Sequence, residues 1–432
     1  MRNFSTKTVL HILVIFSIIS TGLSQTAFQK RLESIEGITK VFPVEDDSLY
    51  NEAFEIYIQQ PLDHNNINGK YFNQKIYLSH INESLPMVIE LDGYNVDKIR
   101  YNELSHILKC NRIIVEHRYF GHSKPDTLDW KYLTVQQAAE DDHYIIQIFK
   151  SIYKNKWIST GISKGGQTTI FHRYFYPEDV GVSVPYVAPL CLAEEDPRIY
   201  SFLKSVGTED CRNKMIAFQR ELLKREDELL PLFKKDAEEM NYTFSIGSDR
   251  MIYEYAVLEY GFAFWQWQKS TCEEIPSPDT TNEALFEHFK LNAAYNYFSD
   301  EKIESIAPFY YQAYSEIGYY GYDITNFKDL LQVVKEPTSK IFVPKNSNPH
   351  FNCSLMGKIN KWIQKHGDNM LFIYGGNDTW FAPSVQLTGE TNAIKMVKKG
   401  GSHRTRISSF NDEDKEIIYS TLEKWLDITI ER

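Results

Sequence analysis

Trp157-Ile158-Ser159-Thr160-Gly161-Ile162-Ser163-Lys164-Gly165-Gly166 puts a short apolar run ahead of a G-x-S-x-G pattern, and helical spacing through Thr168, Ile170 and Tyr174 behind it. A strand that turns sharply into a helix presents the serine hydroxyl at the turn, and glycines on both sides permit the close backbone approach. The helix N-terminus behind Ser163 favours the negative charge that develops during acyl transfer. The same pattern also serves as a plain glycine-rich turn, so its surroundings decide.

Those surroundings read as α/β. Phe54 to Gln59 and Tyr71 to Ser79 alternate apolar and polar residues like a half-buried antiparallel pair, with Asn65 to Gly69 as the turn. Met87 to Leu91, Ile113 to Val115 and Trp157-Ile158 are short continuous apolar runs that suit strands covered on both faces. Thr134 to Tyr153 carries Ala138, Ile145, Ile148 and Phe149 at helical spacing. After Val182 to Val187 the pattern changes: residues 200–336 read as about five charged or aromatic-rich helices with no convincing strand. Alternation returns with strands at Met370 to Tyr374 and Ala393 to Val397 and a terminal helix over Asp412 to Ile428. The expected organisation is an α/β-hydrolase domain in two parts, 25–199 and 346–432, split by a helical cap over 200–345.

A serine hydroxyl needs a histidine to take its proton and a carboxylate to orient the histidine. On this fold the chain order is serine, acid, histidine, each partner following a late strand. Gly375-Gly376-Asn377-Asp378 follows one strand directly and Gly400-Gly401-Ser402-His403 follows the next, whereas His350 and His366 lie elsewhere. Ser163, Asp378 and His403 are therefore the expected triad, although Asp378 could equally make an Asx turn. For the oxyanion hole, the Lys164 backbone N–H is one expected donor. The loop Asp92-Gly93-Tyr94-Asn95 supplies the other, with Tyr94 favoured through its N–H and also its hydroxyl.

The chain has 432 residues, a formal charge of −11, and Tyr 28, Phe 26 and Trp 7, 14% aromatic. An acidic balance argues against nucleic-acid binding. Met1 to Ser24 has a basic start at Arg2 and Lys7, an apolar run from Val9 to Ile19 and a small-residue end. It reads as a signal peptide, which predicts a secreted or periplasmic chain with no membrane contact after cleavage. Cys110, Cys191, Cys211, Cys272 and Cys353 contain no C-x-x-C, so neither a metal nor another cofactor is expected, and Cys211 with Cys272 is the preferred bridge because both fall in the cap. Asn82-Glu83-Ser84 and Asn241-Tyr242-Thr243 fit the glycosylation pattern, which matters only in a glycosylating host.

Beyond the serine turn, several stretches resemble one family. These are Gly161 to Gly166, Tyr186-Val187-Ala188-Pro189, Glu116-His117-Arg118-Tyr119-Phe120-Gly121, Pro61-Leu62-Asp63-His64, Trp130 to Thr134 and Gln312 to Tyr320. Together they resemble the secreted S37 serine aminopeptidases (the PS-10 tripeptidyl aminopeptidase group), which are related to the S28 prolyl carboxypeptidase and dipeptidyl peptidase II family. The resemblance implies an exopeptidase that releases di- or tripeptides from free N-termini, with Ser163, Asp378 and His403 as its triad. Such an enzyme wants a carboxylate for the substrate's α-amine. Glu316, among the cap tyrosines, and Glu116, at a strand end, are the candidates, against structural readings as a helix cap and a core ion pair. A negative cleft, one use for the acidic balance, would also favour a peptide arriving with a positive amine. A serine esterase on the same fold is the alternative, and an inactive scaffold is a third reading.

Overall fold

The computed structural model describes residues 25–432; the expected signal peptide lies outside the described residues. Nine strands form one sheet in the order β1-β2-β3-β5-β4-β6-β7-β8-β9. They are β1 (Ile38–Val44), β2 (Glu52–Pro61), β3 (Tyr71–His80), β4 (Met87–Leu91), β5 (Asn111–Val115), β6 (Trp157–Ile162), β7 (Val182–Tyr186), β8 (Leu371–Gly375) and β9 (Ile394–Lys398). β1, β2, β3 and β5 pair antiparallel, and every pairing from β5 through β4 to β9 is parallel. The parallel strands β4 to β8 are buried at every residue but Ile162, as strands covered on both faces are. This is an α/β-hydrolase fold. Strand β1 is an addition that the sequence reading did not include. Its burial is confined to Val41, so its periodicity is weak.

Thirteen α-helices accompany the sheet among the described residues. The first four are α1 (Ala27–Glu33), α2 (Glu103–Ile107), α3 (Val135–Lys150) and α4 (Lys164–Phe175). Between β7 and β8 come α5 (Pro197–Leu203), α6 (Glu209–Lys224), α7 (Glu226–Glu239), α8 (Asp249–Trp267), α9 (Asn282–Asn292), α10 (Asp300–Ser305), α11 (Ala307–Gln312) and α12 (Ser354–His366). Helix α13 (Asp412–Leu426) closes the chain. Most of the helices between β7 and β8 form a layer above the carboxyl ends of the parallel strands, and α12 returns to pack on α4.

Helix α8 is the axis of that layer. Tyr253, Tyr255, Val257, Tyr260 and Phe264 point to several sides of it and all are buried, so packing surrounds the helix. One apolar cluster runs from Phe218, Leu222 and Phe233 of the layer into Ile170 and Phe171 of α4, so layer and sheet share a core. Each large buried ring there contributes about 1.5–3 kcal/mol. A disulfide joins Cys211 of α6 to Cys272 after α8. Cys110 and Cys191 are buried thiols and Cys353 is exposed.

Candidate active site

The serine turn is built by exclusion of side chains. Ser163 sits between β6 and α4 with φ +59° and ψ −120°, a strained backbone for a residue with a Cβ. Its N–H donates to the Tyr186 carbonyl at 2.9 Å, which ties the turn to β7. A Cβ on Gly161 would overlap the Gly165 carbonyl, and one on Gly165 would come within 2.6 Å of the Leu91 carbonyl oxygen. Any larger residue at these positions would push α4 away from the sheet.

His403 and Asp378 come together from the loops after β9 and β8. His403 Nδ1 lies 2.7 Å from Asp378 Oδ2, with His403 5% and Asp378 0% exposed. The other carboxylate oxygen, Asp378 Oδ1, accepts from the Trp380 N–H at 3.1 Å. The Asx turn and the imidazole partnership thus coexist on one side chain. Helix α8 steadies both loops from above: its Gln266 carbonyl accepts from the His403 N–H at 2.9 Å, and its Phe262 carbonyl accepts from the Thr379 hydroxyl at 3.0 Å.

Ser163 and His403 open onto one cavity of roughly 550 Å³ between the sheet and the helical layer. Its walls include Tyr94, Tyr310, Tyr319, Tyr320, Tyr322 and Trp380, so part of the cap's aromatic content does face the site. The rest is packing: Tyr311 lies 5.3 Å from the Trp130 ring, and Tyr314 is fully buried. The expectation of a negative cleft needs correction. The lining carries Arg100, Lys164, Lys302, Arg404 and Arg406 against only Asp92 and Glu259.

At the expected oxyanion hole the two donors differ. The Lys164 N–H, in the unpaired first turn of α4, has no backbone acceptor and is free to point at a substrate oxygen. The Tyr94 N–H already donates to Asp92 Oδ1 at 2.9 Å, because that carboxylate makes an Asx turn over its own loop. The Tyr94 N–H is therefore available to an oxyanion only after Asp92 lets go. Gly93 lets the Lys164 stem lie across this loop, since a Cβ there would sit 2.6 Å from Lys164 Cβ. The Lys164 ammonium is buried between the Tyr94 and Phe120 rings, 5.7 and 5.4 Å from their centres. Burial brings its pKa down to about 7, against the opposing pull of Asp92 and Asp142.

Neither expected amine-binding carboxylate reaches the cavity. Glu116, 0% exposed, lies 3.3 Å from Lys75 Nζ and accepts from the N–H groups of Val96, His122 and Ser123 and from the Ser123 hydroxyl. Gly121, at φ +49°, packs directly on this carboxylate. Glu316 lies in the helical turn after α11 and accepts from the Val135 N–H at 2.8 Å. It thereby caps α3 beside Thr134, whose hydroxyl takes the Gln137 N–H. Backbone donors hold both oxygens of Glu116 and one of Glu316, and neither side chain lines the cavity.

The carboxylate that does line the cavity is Glu259, on α8. It is 9% exposed, and among the described residues its carboxylate accepts only from tyrosine hydroxyls: Tyr320 at 3.1 Å to each oxygen and Tyr322 at 2.9 Å. Burial pushes its pKa up to about 8, with the two phenols pulling the other way. Sequence reasoning passed over it because Tyr253 to Trp267 reads as one aromatic helix. The available signal was a carboxylate inside that run, but Glu254 shares it and accepts backbone N–H groups of Gln332, Val333 and Val334 instead.

The model of the PS-10 peptidase S37 family matches residues 25–429. The chain belongs to the S37 family. It is a serine peptidase. The S37 chain is also similar to the prolyl tri/tetrapeptidyl aminopeptidase of Streptomyces mobaraensis, 31% identical over 376 residues, covering 85% of this chain and 78% of that one. Among solved structures it is similar to a proline iminopeptidase from Mycobacterium smegmatis (12% identity, 86% and 98% of the two chains, TM-score 0.40). A carboxyl esterase from Bacillus coagulans is comparable (14% identity, 87% and 99%, TM-score 0.40).

Proposed function

We propose that this S37 peptidase is an exported aminopeptidase that removes short peptides, three residues long in the main, from free N-termini. The observation that carries this reading is Glu259, a buried carboxylate with no cation of its own, in the same cavity as Ser163 and His403. A substrate ammonium would supply the missing charge and repay the cost of burying the carboxylate. Glu259 and Gln266 are seven residues apart on α8, about 10 Å of helix rise. Gln266 holds the His403 backbone, so this spacing along α8, of the order of three extended residues at ~3.3–3.6 Å each, supports release of about three residues. The S. mobaraensis relative's name points the same way. Trp380, two residues past Asp378 and 5.6 Å from the Tyr319 ring, offers an apolar wall for the residue before the cut, proline included.

In this reading Ser163 Oγ attacks the scissile carbonyl while His403 Nε2 takes its proton, and Asp378 holds the imidazole and steadies its positive form. The oxyanion is met by the Lys164 N–H with help from Tyr94. His403 passes the proton to the leaving amine, the C–N bond breaks, and water hydrolyses the acyl-enzyme by the same route. Export is supported by the leader-like start of the sequence and by the Cys211–Cys272 disulfide. The test is a timed digest of Ala-Ala-Pro-Ala-Ala-Phe by mass spectrometry. Release of Ala-Ala-Pro by the mature chain and not by Ser163→Ala is expected; stepwise loss of single residues would overturn the assignment.

A further inference from the structure

His403 must hand a proton to the departing amine, so the peptide beyond the scissile bond leaves past His403 and over whatever surrounds it. This part of the molecule is unlike the Glu259 end. The Trp267 ring stands edge-on to His403, with centres 5.6 Å apart. The guanidinium of Arg404, the next residue, lies over that ring at 6.0 Å. Arg406 lines the same cavity and donates to the carbonyls of His403 and Thr405. Lys269 stands close enough to Arg404 for the two charges to repel, and burial and that repulsion together lower its pKa.

What distinguishes these cations is the lack of a carboxylate in contact: Arg406 is held by carbonyls alone, and Lys269 Nζ donates to the Leu291 carbonyl at 3.1 Å. Among the described residues no carboxylate lies within 4 Å of Arg404, Arg406 or Lys269. On the same wall Arg100 is fully engaged by Glu90 and Asp92. In a chain with a net charge of −11, a group of cations with no carboxylate in contact, beside the leaving-group side, is a local reversal of sign. Arg404 is exposed, so its guanidinium is free to swing onto a ligand, and its backbone is fixed by its neighbour His403.

We propose that Arg404, flanked by Arg406 and Lys269, is a specificity residue that selects leaving peptides with a carboxylate at the first or second position after the cut. The inference rests on the peptidase reading above. The carboxylate comes either from an Asp or Glu side chain or from the C-terminus of a short peptide. With Glu259 at the other end, the site would then match the two ends of a short zwitterionic or acidic peptide, positive end toward α8 and negative end toward Arg404.

The test compares kcat/KM for Ala-Ala-Pro-Glu-Ala-amide and Ala-Ala-Pro-Lys-Ala-amide, and for Ala-Ala-Pro-Ala as free acid and as amide. Ala-Ala-Pro-anilide, with a neutral leaving group, is the control for peptidase chemistry. At low salt the Glu peptide is expected to be favoured about three- to tenfold over the Lys peptide, as for a partly exposed ion pair, and the preference should shrink with added salt. In Arg404→Gln the ratio should fall toward one, and in Arg404→Lys part of it should return. Each ratio is internal to one protein, so a poorly folded preparation cannot mimic the result. A preference confined to the acid/amide pair supports the proposal with the C-terminus as the source, and one confined to Glu/Lys supports it with the side chain. Anilide cleavage with neither preference, or preferences unchanged in Arg404→Gln, overturns this inference alone. No cleavage of any substrate overturns the peptidase reading and this inference with it.

Discussion

Glu116 and Glu259 are both buried glutamates above the same sheet, and their surroundings are opposites. Glu116 has Lys75 at 3.3 Å, three backbone N–H groups and a serine hydroxyl, so every direction around its carboxylate is filled. Glu259 has two phenols, an open cavity and no cation. Burial carries a full penalty only when the charge goes uncompensated. The first carboxylate therefore holds the fold together, and the second costs the fold stability that, on the proposed reading, a bound amine would restore. The same contrast separates Arg118, pinned between Asp141 and the carbonyls of Pro61, Leu62 and Tyr132, from Arg404, which has no carboxylate within 4 Å among the described residues.

This division assigns each substitution a readout, stability for the satisfied group and turnover for the open one. Ser163→Ala gives the largest expected effect: turnover should fall about 10⁴-fold or more with the melting temperature nearly unchanged. A large loss of stability would show that the serine turn is scaffold. Glu116→Ala comes next, leaving Lys75 buried and unpaired at a cost of about 3–5 kcal/mol in denaturant unfolding. A cost under about 1 kcal/mol would break the comparison from the other side.

Much of the fold and part of the site could be read from the chain. Ser163, Asp378 and His403 stand in glycine-rich loops at strand ends, where local rules for turns and strand–helix order apply, and the structure brings His403 and Asp378 into contact and Ser163 onto the same cavity. Glu116 and Glu316 also stood in family-like stretches, yet both serve the scaffold, and so do Pro61 to His64 and Trp130 to Thr134 around Arg118. A motif shows that a position is constrained and leaves open whether a neighbour or a ligand does the constraining. Glu259 was illegible because a carboxylate's partners here come from residues 61 and 63 positions away, and only the three-dimensional arrangement reveals which hydroxyl groups reach it.

Smaller effects sharpen the comparison further. Glu259→Gln should lower kcat/KM on free-amine peptides about 30- to 100-fold, the worth of one buried charge-assisted contact. Glu259 has a folded pKa of about 8, above the ordinary carboxyl value of 4.5, so its contribution to stability is whole below about pH 4.5 and is lost as pH rises to 8. Glu259→Gln should therefore melt higher than wild type at pH 9 and about equally at pH 4; the reverse order would contradict the burial argument. The same group sets a titration of binding. Below about pH 8 a proton occupies the carboxylate that the ammonium needs, so KM for free-amine peptides should rise as pH falls, at most tenfold per unit. That slope should be absent in Glu259→Gln, and a slope shared by both proteins would assign it to another group.

The most direct measurement is the ratio of kcat/KM for a free over an N-acetylated peptide of otherwise identical sequence, taken in wild type and in Glu259→Gln. A ratio of about 10² in wild type that falls to near one in the variant is the predicted result. A ratio near one in wild type, or one that survives the loss of Glu259, would contradict the account.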